Sequence, residues 1–160
     1  MIKIKSTFIY LTSALFLVFI ACMIFFSMKN SVEINCQSSV SVHVNSDINN
    51  IHIKGKIKFS YHLVSGGESH VSQYGVIESN GVHYIIDRIG KVHFTKQGYN
   101  DYYELVREGY EKNLQDNTPD QIYDLLISKQ KKFQYKMQKY DKDYWQISDI
   151  RRTLLLCKKT

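Results

Sequence analysis

Ile51-His52-Ile53-Lys54-Gly55-Lys56-Ile57-Lys58-Phe59-Ser60-Tyr61 alternates apolar and polar residues for eleven positions, and this stretch decides the class of the domain. A period of two puts every second side chain on the same face of a strand, so this is a half-buried strand with His52, Lys54, Lys56 and Lys58 on its polar face. Gly55 in its middle suggests a bend or bulge that lets a long strand curve.

Working outward, Val40-Ser41-Val42-His43-Val44 shows the same alternation. After the strand, Gly66-Gly67 signals a turn, and a less regular strand runs through Val71, Tyr74, Val76 and Ile77. Asn80-Gly81 between apolar segments is a strong hairpin signal. The returning strand is Val82 to Ile86, and a further turn is expected near Ile89-Gly90-Lys91, before Val92-His93-Phe94. Successive hairpins imply an antiparallel meander.

Beyond Tyr99 the spacing of Tyr102, Tyr103, Leu105 and Val106 fits either a strand or a short helix. Thr118-Pro119-Asp120-Gln121 is a helix start, with Thr as N-cap, Pro at the first position and Gln at the capping-box position. Ile122, Leu125 and Leu126 then share a helical face, and Asp120 and Asp124 meet at i and i+4 near the helix start, where carboxylates complement the dipole. Alternation returns at Phe133 to Met137, and the last strands are expected at Tyr144–Ile147 and Thr153–Cys157.

Before this domain, residues 8–28 read FIYLTSALFLVFIACMIFFSM, 21 residues without a charge. At ~1.5 Å per residue a helix of that length spans roughly 30 Å, the hydrocarbon thickness of a bilayer. Lys3 and Lys5 precede it and Lys29 follows, so the positive-inside rule places the N-terminus in the cytoplasm by a small margin. Two other readings stay open. A cleaved signal peptide would have a shorter apolar core and a small-x-small site. A lipoprotein reading rests on Phe19-Ile20-Ala21-Cys22, where Phe replaces the usual Leu and the apolar run continues past the cysteine.

The expected organisation is therefore a cytoplasmic start (1–7), a transmembrane helix (8–28), a linker (29–37) and a periplasmic β-rich domain (38–160). The expected class is α+β: a mainly antiparallel β-meander, able to close into a barrel, with one or two short helices.

Cys36 opens the domain and Cys157 stands near the end of the chain. In an oxidising compartment they are a candidate pair, closing a loop of about 120 residues; two buried free thiols are the alternative. Cys22 reads as an apolar filler in the first helix.

Composition excludes more function classes than it selects. The net charge is +6 with a pI near 9.1, but the Lys and Arg are scattered rather than set on one helical face, so nucleic acid is not the expected partner. The six histidines lie no nearer than eight residues to one another, which does not suggest a metal site. No G-x-S-x-G elbow, Cys-His signature, C-x-x-C motif or phosphate-binding Gly loop occurs, so neither an enzyme nor a bound cofactor is expected. The 12 Tyr and 8 Phe are the unusual feature. A curved sheet could aim several inward, making Tyr61, Tyr74, Tyr84, Phe94, Tyr135 and Trp145 candidates for a partner or ligand surface, while the simpler reading makes them core and half-exposed sheet residues. An open sheet edge would offer a second route to a protein partner.

The chain resembles the FidL-like family of enterobacterial membrane proteins. The shared features are a short basic start, one helix, Cys36, a strand-rich stretch, the segment Gly81-Val82-His83-Tyr84-Ile85-Ile86-Asp87-Arg88, a Thr-Pro-Asp turn and Cys157. The resemblance implies an inner-membrane protein with a periplasmic domain and no assigned enzyme activity. It also implies association with membrane-anchored regulators of the ToxR type, whose small companion proteins share this architecture. Some companion pairs form a joint β-barrel that accepts amphipathic ligands. The expected function is a binding or accessory protein of that kind; the alternative is an envelope or surface-structure assembly protein.

Overall fold

The structure is a computed structural model that describes residues 12–24, 32–46, 51–98, 100–149 and 151–160. It divides into two units, residues 1–31 and 32–160. In the first unit, residues 12–24 are helical (α1) and exposed.

The second unit is a closed barrel of eight antiparallel strands in sequence order. They are β1 (Glu33–Ser46), β2 (Ile51–Val64), β3 (Ser69–Ser79), β4 (Val82–Gln97), β5 (Tyr102–Lys112), β6 (Lys132–Asp141), β7 (Tyr144–Ser148) and β8 (Thr153–Lys159). A helix, α2 (Asp120–Leu126), lies between β5 and β6.

The expected α+β class with a membrane-spanning helix at 8–28 is corrected on both counts. The domain is a closed all-β barrel carrying one short helix. No helix among the described residues is long and apolar enough to cross a membrane. Residues 8–11 and 25–28 of the expected span lie outside the described residues.

Several boundaries also move. The expected linker at 29–37 already belongs to β1 from Glu33 onward, because Ile34 and Cys36 continue the alternation and are buried. The turn expected at Ile89–Lys91 is absent: β4 is continuous, and Gly90 instead adjoins a register shift against β5 between Lys91 and Val92. Asn80 and Gly81 do make the hairpin, with φ of 50° and 83°, the left-handed pair that a two-residue turn demands. Thr118 does not cap α2. Its hydroxyl donates to the Ile85 carbonyl at 2.8 Å, and the helix starts from Pro119 without a side-chain cap.

Curvature comes from two glycines on the inner face. A Cβ at Gly75 would run into the Lys56 carbonyl and sit 2.9 Å from the Ile57 Cα, and one at Gly55 would sit 2.7 Å from the Ile77 Cα. Here β2 and β3 approach each other more closely than any side chain allows, so the sheet can coil tightly.

The interior holds two packed clusters. At the disulfide end, Ile34, Leu63, Val92, Leu105, Met137 and Ile147 surround Phe94 and Tyr103, whose rings stack at 4.9 Å. At the helix end, Ile53, Ile57, Ile77 and Ile86 pack with Tyr123 of α2. Cys36 and Cys157 are bonded, with Cα atoms 5.4 Å apart. The bond lies where β1 meets β8, a seam with only two ladder pairs, Cys36 with Lys159 and Gln37 with Lys158.

Candidate functional site

A cavity of about 250 Å³ lies between the two clusters. Its lining follows from the alternation. Phe59 and Tyr61 of β2, Val71 and Gln73 of β3, and Gly90 and Val92 of β4 occupy the inward phase. Leu105, Arg107 and Tyr110 of β5, with Phe133, Tyr135 and Met137 of β6, continue the wall. Leu126, Ile127 and Ser128, at and just beyond the end of α2, and Leu154 and Leu155 of β8 complete it. The lining is predominantly apolar, with a few polar groups placed among it, the usual composition of a small-molecule site.

The cavity is not sealed. Ser128, Phe133, Tyr135 and Leu154 also line an open depression of about 700 Å³ that carries Lys132, Asp149, Arg151 and Arg152. Arg107 stands at this threshold, where its Nη2 donates to the Ser128 carbonyl at 3.0 Å. Burial, reinforced by the neighbouring Tyr135, pushes the Tyr61 phenol well above its ordinary value, and burial followed by Asp149 does the same to Tyr135. Both therefore remain neutral, able to hydrogen-bond but not to act as bases near neutral pH.

The helix end is closed by a different device. Beyond the reach of β5, the outer edge of β4 is bonded by the loop that follows. Asn113 N–H donates to Asp87 O (2.9 Å), Asn117 N–H to Ile85 O (3.2 Å), and Ile85 N–H to Asn117 Oδ1 (2.7 Å). Arg88 is fully buried on the inner face, paired with Asp116 at 2.8 Å and Asp120 at 3.0 Å. Its guanidinium also donates to the Thr118 carbonyl at 2.9 Å and lies 3.8 Å from the Tyr123 ring centroid. Tyr123 packs edge-on against Tyr110 and donates to Gln73 Oε1 at 2.8 Å.

Burial works against both charges of the Arg88–Asp116 pair, but their mutual bond and charge outweigh it. Arg88 is held above its ordinary pKa, and Asp116 below the usual carboxylate value, with the Asp87 and Thr118 N–H groups helping. Asp120 and Asp124, expected side by side at the helix start, divide their work: Asp120 pairs with Arg88 and Lys112, while Asp124 accepts from the Tyr110 hydroxyl at 3.2 Å.

The six aromatic candidates separate. Tyr61 and Tyr135 line the cavity. Phe94 is buried in the disulfide-end core, and Trp145 packs against it with Lys139 over its ring. Tyr84 is half-buried against the helix-end cluster. Tyr74 is exposed on the outer face of β3 beside Val76.

Sequence reasoning missed Arg88 and Arg107. Both were visible as cations in the inward phase, Arg88 between Ile86 and Gly90 and Arg107 two residues after Leu105. No local pattern pointed to Asp116. Among the described residues no group of three or more His, Cys, Asp or Glu could hold a metal ion.

The domain is a small disulfide-closed β-barrel with an apolar chamber between two packed clusters. A family model described as "FidL-like putative membrane protein" matches residues 75–157. The chain belongs to this FidL-like family. Neither the curated proteins nor the solved structures compared with it include a match.

Proposed function

We propose that this chain is a non-enzymatic binding protein of the bacterial inner membrane, with its barrel in the periplasm, acting as an accessory partner of a membrane-bound ToxR-type transcription regulator. The observation that carries the binding role is the chamber. A barrel this small could fill its lumen with side chains, yet here an opening leads from the surface to Tyr61 and Tyr135 between two packed cores. The bonded Cys36 and Cys157 support an oxidising compartment. Support for the regulator as partner is the architecture shared with the small companions of such proteins, an analogy of form.

The closed barrel bears on how a partner would dock. The ring is closed, but β1 meets β8 only at Cys36 and Gln37, so its edge from Ser38 to Ser46 has ladder pairs to β2 alone, and an outer face is a second candidate beside that edge. The outer surface of β2 and β3 presents Tyr74 and Val76 opposite Lys58 and Lys56.

The test is a photoreactive residue at Tyr74, crosslinked in native membranes and followed by mass spectrometry. The expected capture is a membrane-bound transcription regulator, lost when the probe is moved to the buried Phe94. Capture restricted to secreted or surface-structure subunits would overturn this reading in favour of an envelope assembly role.

A further inference from the structure

We infer that the chamber binds a single-chain amphiphile with an anionic head, seated so that the head meets Arg107 and the chain runs inward. This rests on the proposed binding role and specifies what the site takes.

Three observations carry it. First, the interior wall is hydrocarbon and aromatic, formed by residues such as Phe59, Leu105, Phe133 and Met137. Its 250 Å³ matches the liquid volume of about eight waters at ~30 Å³ each, and hence on the order of eight methylene groups. That is room for one short chain.

Second, Arg107 is an inward-phase cation at the mouth of this apolar space, unlike Arg88, which is consumed by two carboxylates. The ion pairs found among the described residues include none from Arg107; its guanidinium donates to the Ser128 carbonyl and lies 5.9 Å from the Tyr110 ring centroid. A guanidinium has five N–H donors in a planar fork that fits carboxylate, sulfate or phosphate oxygens. In a site walled by hydrocarbon, such a charge-assisted bond is stronger than the same contact in water.

Third, the approach is biased in sign. The depression outside the mouth carries Lys132, Arg151 and Arg152; Lys132 pairs with Glu104 at 2.8 Å and Arg152 with Asp149 at 3.7 Å, so the surplus is the single positive charge of Arg151. An anionic head is attracted there, and a cationic one is repelled at both the approach and the seat.

The test uses the full chain in native membranes and a ten-carbon carboxylic acid carrying a diazirine on its chain. After illumination, label is mapped by mass spectrometry. The expected result is label concentrated on Phe133 to Met137, competed by excess decanoate and not by decyltrimethylammonium or phosphatidylglycerol vesicles. Arg107→Gln, which keeps a donor for the Ser128 carbonyl, should lower labelling there roughly tenfold, the effect of losing one charged contact. Val71→Phe, which fills the chamber, should abolish it.

Labelling unchanged in Arg107→Gln, or competed equally by the cationic amphiphile, would overturn the anion seat while leaving the chamber as a binding site. Competition by the phospholipid vesicles would overturn the single-chain ligand. Label that survives Val71→Phe, or is spread evenly over the chain, would overturn the chamber reading itself.

Discussion

The two ends of the barrel are closed by different physics. At the disulfide end, strands from both halves of the sheet meet, Phe94 stacks on Tyr103, and a covalent bond crosses the seam between β1 and β8. At the helix end, β1 to β4 outrun their partners, and residues 113–127 fill the gap with side-chain hydrogen bonds, a buried ion pair and Tyr123. The first closure relies on apolar burial and chain connectivity, which tolerate small movements. The second relies on directional polar contacts, each of which leaves a buried group unsatisfied when broken. The chamber sits where the two meet, and α2 supplies part of its wall.

The largest expected effect tests the covalent closure. Replacing Cys36 and Cys157 together by Ala should lower stability by about 4–5 kcal/mol, the chain-entropy value for a loop of this length. Denaturant melting of the barrel measures it. A loss below about 1 kcal/mol would show that the disulfide-end core holds its seam without the bond.

Next, Asp116→Ala should cost about 3–5 kcal/mol, since it removes the buried carboxylate from a buried guanidinium and leaves it only the exposed Asp120 as an ionic partner. Hydrogen exchange should speed up first at the amides of Ile85, Asp87 and Asn117, while Phe94 and Leu105 stay protected. Uniform acceleration would mean that the two ends open as one unit, and the contrast between them would fail.

Gly75→Ala sharpens the comparison from the wall side. The added methyl meets the Lys56 backbone, which cannot rotate away as a side chain would. A loss of about 1–3 kcal/mol is expected, as for other overpacked sites, and Gly55→Ala should behave alike. A neutral result in calorimetry would show that β2 and β3 can separate without cost.

The smallest effect is graded by pH. The folded-state pKa of Asp116 lies below its ordinary value, so its contribution is present above the unfolded carboxylate pKa of about 4 and is lost as pH falls through the lowered folded value. Acid should therefore loosen the helix end before the disulfide end. In Asp116→Asn this part of the acid dependence should vanish, and its persistence in exchange measurements would assign the effect to other carboxylates.

Much of the barrel was legible because the alternation is local. The inward phase of β2, the Asn80-Gly81 turn and the strand at Phe133 to Met137 need only neighbouring residues to be read. The Thr118-Pro119 start was legible as a helix signal, but not the use to which Thr118 is put, because its acceptor at Ile85 is far away in sequence. The break expected at Ile89–Lys91 failed for a similar reason: Gly90 looks like a turn until β5 is laid beside it. Of the aromatics, residue type alone could not separate Tyr61 and Tyr135 in the chamber from Phe94 in the core or Tyr74 outside.

By itself the sequence determined an antiparallel order of strands, a short helix starting at Thr118-Pro119, and the two cysteines available for pairing. Those follow from the period of the side chains and from turn chemistry. Tertiary structure alone decided that the sheet closes, that Arg88 finds Asp116 and Asp120, and that a chamber remains with Arg107 at its mouth. Closure depends on curvature accumulated over eight strands, and an empty volume depends on what fails to meet across it, neither of which any local pattern encodes.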